Sequence, residues 1–146
     1  MKLISDLNGV LDVNHEECIL EDIINKCKEK SVLDVSLDEN LNNAIMKCCS
    51  VSNNHLEFAK NALDMLLKVT PHTINNQNKQ GDTALIIACR KNHLSLVRLL
   101  LQYSASKIIM NSKGESASSV TTLDDIKRTL QYNIGISFFL YLKYSY

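Results

Sequence analysis

The side chains best equipped for chemistry in this chain are its five cysteines and four histidines. His15, Glu16, Glu17 and Cys18 stand together, and a metal ion would be the use for such a group. One His and one Cys three residues apart supply at most two ligands, whereas structural zinc takes four. The group therefore reads as a helix start carrying a buried Cys. Cys48, Cys49 and Cys89 raise the question of a nucleophile, which would need a thiolate held by a cationic neighbour or a helix N-terminus. Their surroundings, Ala-Ile-Met-Lys-Cys-Cys and Ala-Leu-Ile-Ile-Ala-Cys, are those of small packing residues. No phosphate-cradling glycine loop, nucleophile elbow or HExxH helix occurs. The sequence thus predicts no enzyme, no metal site and no cofactor.

The elements that position these residues must come from 146 residues, 45% of them hydrophobic, enough for one core or three to four stacked units. Sixteen basic residues balance sixteen acidic ones. That balance gives no basis for the phosphate-dominated contacts of a nucleic-acid binder. An odd cysteine count without a CxxC pair, and a start unlike a signal peptide, predict a reducing intracellular compartment. No apolar run approaches the roughly 18 to 20 residues of a membrane span. Fifteen Asn, one Pro and no Trp match the output of an AT-rich genome, a class that includes viruses and intracellular bacteria.

Repetition is the most informative feature. From Asn78 the chain reads Asn-Lys-Gln-Gly-Asp-Thr-Ala-Leu-Ile-Ile-Ala-Cys-Arg-Lys-Asn-His-Leu-Ser-Leu-Val-Arg-Leu-Leu-Leu-Gln-Tyr-Ser-Ala, and Asn111-Ser-Lys-Gly-Glu-Ser-Ala restarts the phrase with Gly114 following Gly81 by 33 residues. A period of this length marks units that bury their hydrophobic faces only by stacking. The stretch resembles an ankyrin repeat, closely over residues 73–117 and more loosely over 38–72. The resemblance implies an all-α solenoid of about three to four helix-turn-helix units with short β-hairpin-like loops. Its divisions would be an N-terminal cap or degenerate repeat at 1–37, a lengthened repeat at 38–77, a repeat at 78–110, a capping repeat at 111–132 and an aromatic tail at 133–146. Apolar stripes predict helices over residues 3–11 and 15–29, the second opened by Asn14 with Glu17 at capping-box spacing. Ser36 to Asn40 reads as a polar turn. Laying Asn54-His-Leu-Glu-Phe-Ala on Asn92-His-Leu-Ser-Leu-Val gives a spacing of 38, and the excess is expected in turns, at Ser52 and Asn53 and near residues 69–72. Further helices are expected at 84–91, 94–103 and 123–132.

Individual residues fit this scheme. Gly81 supplies the positive φ of a tight turn, Thr83 caps the first helix, and Ala84, Ala88 and Cys89 let helices approach. Leu96, Val97, Leu99, Leu100 and Leu101 give the second helix its buried face. Against the family pattern, Ala84 stands for Pro, Ile86 for His, Asn92 for the Gly between helices and Ser104 for the Gly after the second helix. Asn suits a left-handed position; Ser suits it less. The lost Pro and His imply a less stable stack. His55 and His93 fall where the family braces the turn between helices, which makes them structural and not general bases.

The resemblance also implies a function: holding another protein. Hairpin tips and the end of the first helix are the family's contact positions, here Gln77, Lys79, Gln80, Asp82, Arg90 and Lys91, then Met110, Ser112, Lys113 and Glu115 on the next finger, with Ser50 and Val51 on the preceding unit. Lys79, Arg90, Lys91 and Lys113 would form a basic strip suited to an acidic segment with an apolar anchor. The expected partner is a protein and not nucleic acid, bound by a monomer inside the cell; the specific form is a pathogen-encoded protein directed at a host factor. Residues 132–146 hold six of the eight aromatics. They are expected to dock on the open end of the stack; the alternatives are a membrane-peripheral or self-associating protein acting through this tail, or a fragment of a longer repeat protein.

Overall fold

The computed structural model describes residues 8–28 and 42–132 of the chain, with side chains described for 15–25 and 42–131. The expected polar turn at residues 36–40, the side chain of Cys27 and the aromatic tail at 133–146 lie outside the described residues. Seven α-helices carry the fold among them: α1 (Asn8–Lys28), α2 (Ala44–Cys49), α3 (Leu56–Val69), α4 (Ala84–Arg90), α5 (Leu94–Gln102), α6 (Ala117–Val120) and α7 (Asp124–Tyr132). They form two layers. Short first helices α2, α4 and α6 stack on one another, longer second helices α1, α3, α5 and α7 stack beside them, and α2–α3, α4–α5 and α6–α7 pair as hairpins.

Residue size explains the layers. The first helices bury small residues, Ala44, Cys48, Cys49, Ala84, Ala88, Cys89 and Ala117. The first helices also bury Ile45, Met46, Leu85 and Ile86, and the second helices add Leu63, Leu66 and Leu67 from α3, Leu96, Val97 and Leu100 from α5, and Ile126 from α7. Each large side chain so buried stabilises by about 1.5–3 kcal/mol relative to exposure. Caps punctuate the helices. Asn43 Oδ1 accepts from the Met46 amide at 2.9 Å, Thr83 Oγ1 from the Ile86 amide at 3.3 Å, and Ser119 Oγ takes up the Ser116 amide at 2.9 Å. At the far ends Asn92 (φ +59°) and Ser104 (φ +65°) adopt the left-handed conformation. The His93 amide then bonds Ala88 O, and the Ala105 amide bonds Leu100 O, both at 3.0 Å, the six-to-one bond of a Schellman cap.

The structure departs from the sequence expectations at two helices. Residue 14 lies inside α1, which runs unbroken through the expected start at residue 15. A cap residue is worth about 1 kcal/mol, whereas a break would leave amides and carbonyls on both sides without partners. Packing settles the matter, because Ile19, Leu20, Ile23 and Ile24 of one continuous helix lie on the core side against α3. The second departure is the lengthened repeat. Ser52 and Asn53 do fall in the connection between α2 and α3, at a 3₁₀ turn over Asn53–His55. The 38-residue spacing, however, arises within the helix: α3 has 14 residues against 9 in α5, and nine residues lead from Val69 to Asn78 as from Gln102 to Asn111.

Candidate partner-binding surface

Between α3 and α4, and again between α5 and α6, the chain forms a finger closed by one asparagine. Asn78 Oδ1 accepts from the Gln80 amide (3.0 Å) and the Asp82 amide (2.9 Å), while the Gly81 amide bonds Asn78 O at 2.9 Å and the Asn78 amide bonds Asp82 O at 3.0 Å. Thirty-three residues on, Asn111 makes the same four bonds with Lys113, Glu115 and Gly114, at 2.9–3.0 Å. Gly81 and Gly114 have φ of +78° and +75°. The two turns therefore share one backbone conformation, as the sequence repeat demands.

Polar rungs join neighbouring fingers. Asn78 Nδ2 donates to Asn42 Oδ1 and Asn111 Nδ2 to Asp82 Oδ1, each at 2.9 Å. The Ser112 amide reaches Gln80 O at 3.0 Å, and Gln77 Nε2 donates to Gly81 O (2.8 Å) and Met110 O (3.1 Å). A second line links the long helices, through Tyr103 Oη to Asp64 Oδ1 (2.9 Å) and the Ser106 amide to Asn75 Oδ1 (2.8 Å). A third runs along the turns between helices: Ser52 Oγ to Glu16 on α1 (2.8 Å), His93 Nε2 to Val51 O (2.8 Å), and Thr121 Oγ1 to Asn92 Oδ1 (2.8 Å). Val51 O can only accept, so His93 carries its proton on Nε2 and leaves a bare, buried Nδ1. His55 does not match it; its Nδ1 lies 3.8 Å from Glu16 and makes no hydrogen bond.

Asp82 is 5% exposed and is the polar centre of the finger side. Arg90 donates to both its oxygens, at 2.7 and 3.0 Å, and reaches Glu115 at 3.4 Å. Burial pulls the Asp82 carboxyl upward, but hydrogen bonds from Arg90 and Asn111 outweigh it and hold the group below its ordinary range. The same bond raises Arg90. Asp82 and Arg90 were expected as partner contacts; Asp82 is enclosed, and its carboxylate occupies the Arg90 guanidinium. Val51, also expected there, is 4% exposed with its carbonyl given to His93. Gln77 is exposed with its amide spent between fingers, and Glu115 shares Arg90 and Asn111. Lys79, Gln80, Met110, Ser112 and Lys113 are exposed on the fingers, and Lys91 and Ser50 at the far ends of α4 and α2. The side chains of Lys79, Lys91 and Lys113 make no hydrogen bond or ion pair among the described residues. Sequence reasoning passed over Ile108, 84% exposed; its alignment with Asn75 at one period was the available signal.

Burial disfavours the thiolate at Cys49 and Cys89. Burial pushes Cys89 up to about 12, and burial with the neighbouring Cys48 and Cys89 pushes Cys49 well above its ordinary value. Cys18 is exposed, not buried as the sequence suggested, because α1 turns its 19–20–23–24 stripe and not residue 18 toward α3. Among the described residues no three His, Cys, Asp or Glu side chains are placed to hold a metal, and no helix is long and apolar enough to cross a membrane. A recess of about 420 Å³ lies near the C-terminal end, lined by Lys107, Ser118, Lys127, Leu130 and Gln131, with Lys107 Nζ donating to Leu130 O at 2.9 Å.

Comparison with known proteins agrees with this geometry. The family model described as ankyrin repeats (3 copies) matches residues 10–112. An ankyrin repeat protein of Acanthamoeba polyphaga mimivirus is 30% identical over 105 residues, covering 70% of this chain and 24% of the relative. The cell division cycle-related protein res1/sct1 of Schizosaccharomyces pombe is 32% identical over 84 residues, 51% of this chain and 13% of its own length. An ankyrin repeat protein of Rickettsia bellii is 35% identical over 68 residues, 46% of this chain and 40% of its own. The chain thus spans less than half the length of each of these relatives.

Proposed function

The chain belongs to the ankyrin-repeat family, and from that premise we propose that it is a protein-protein interaction module whose fingers and first helices grip an acidic segment of a partner protein. One observation supports this reading above the others. Lys79 and Lys113 on the fingers and Lys91 at the far end of α4 are exposed with unpaired side chains, while the carboxylates of Asp82 and Glu115 are taken by Arg90 and Asn111. The face therefore presents uncompensated positive charge on a chain of zero net charge. Finger turns and short helices fix the backbone that carries these lysines, so association has only the side chains to order, and complementary charge sets partner choice and on-rate. The match to a mimivirus relative supports the narrower form in which the partner is a host protein.

The test compares proteins captured from cell lysate by the parent chain, by Lys79→Glu/Lys91→Glu/Lys113→Glu, and by Arg98→Glu on the opposite layer. A partner should be retained by the parent and the Arg98 variant and lost by the triple variant. An identical captured set for all three would sink the proposal.

A further inference from the structure

Finger 74–82 receives its successor through four positions. Asn75 Oδ1 accepts the Ser106 amide, Gln77 Nε2 donates to Met110 O, Gln80 O accepts the Ser112 amide, and Asp82 Oδ1 accepts Asn111 Nδ2. One period later those positions are Ile108, Met110, Lys113 and Glu115. The first two have changed from amides to large apolar side chains, and they are 84% and 60% exposed. The outer edge of the last described finger is therefore shaped to receive a neighbour, but by apolar contact where its predecessor uses hydrogen bonds.

The occupant follows from connection and chemistry. Nine residues lead from Val69 to Asn78 and from Gln102 to Asn111; nine beyond Tyr132 is Tyr141. The stretch 133–141 thus leaves α7 where an approach to a successor finger would begin, and it has the length of one. It contains Ile134, Ile136, Phe138, Phe139, Leu140 and Tyr141, and Lys143 is the only charged side chain in 133–146. Each such apolar residue left in water forgoes the stabilisation of burial. We propose that residues 133–146 cover this edge, laying their aromatic side chains on Ile108 and Met110 and closing the array from within the chain.

The test uses the full 146-residue chain and the variant Ile108→Asn/Met110→Gln, which restores the amides of the preceding finger at exposed positions and leaves the stack intact. Chymotrypsin should cut after Phe138 to Tyr141 about tenfold faster in the variant, since cleavage follows the population of the uncovered state. Methyl-labelled Ile108 and Met110 should show NOEs to Phe138 or Phe139, lost in Phe138→Leu/Phe139→Leu. Equal cleavage rates without NOEs would overturn the proposal. Protection that grows with protein concentration would assign the edge to a second copy, and protection seen only with phosphatidylcholine vesicles would assign the segment to a membrane surface; either outcome also overturns it.

Discussion

Arg90 and Lys91 are neighbours in sequence with opposite duties. Arg90 satisfies a nearly enclosed carboxylate, so Arg90→Glu should lower stability by about 1–3 kcal/mol, the cost of leaving such a group without its donor, seen as a lower thermal midpoint. Lys91→Glu should leave that midpoint unchanged and weaken partner binding. Asp82 gives the array a pH dependence whose sign is fixed. Its folded value is depressed, so its contribution is fully present above the unfolded carboxyl value of about 3.9 and is lost as pH falls through the folded value. Asp82→Asn should flatten the acid limb of stability against pH in a denaturant titration series; an unchanged limb would show that the carboxylate is not held as described. The glycines part company in the same way. Both need positive φ, but a Cβ at Gly114 meets nothing within 4 Å, whereas at Gly81 it comes 2.7 Å from the Ser112 amide nitrogen of the next finger. Gly114→Ala should cost about 1–2 kcal/mol, the left-handed penalty alone, and Gly81→Ala measurably more in the same urea titration.

At the scale of the element, local signals were readable and contacts across units were not. The stripe of α5, the Thr83 cap and the two finger turns follow from spacing within a few residues, and they stand where the sequence placed them. Ser104, read as the uneasy substitute for Gly, does sit at φ +65°. Ser104→Gly should therefore stabilise the chain by up to about 1 kcal/mol, measured by chemical denaturation. The continuity of α1 and the extra length of α3 were hidden because helix-on-helix packing decides them. So was the tie from Arg90 to Glu115, 25 residues apart, since it needs the finger to be folded first; the shared acidity of Asp82 and Glu115, one period apart, was its only trace in the sequence. Leu100 is fully buried in α5, and Leu100→Ala should cost about 2–5 kcal/mol. A midpoint equal to the parent's would contradict that burial.

At the scale of the whole molecule, the units α2–α3 and α4–α5 are tied along three separate lines: between fingers, between long helices and between the turns opposite the fingers. Stability in such an array is a sum of units and junctions, and well-separated ties suppress hinging at a junction, which keeps Lys79 and Lys113 at a fixed spacing. The same arrangement governs how the protein carries load. Pulled lengthwise, the junction of α2–α3 with α4–α5 shares tension among its three lines in parallel, so none gives way alone and no gradual slackening precedes failure. Extended by its ends, the array would behave as a stiff spring that surrenders one repeat at a time, each release a discrete step in length.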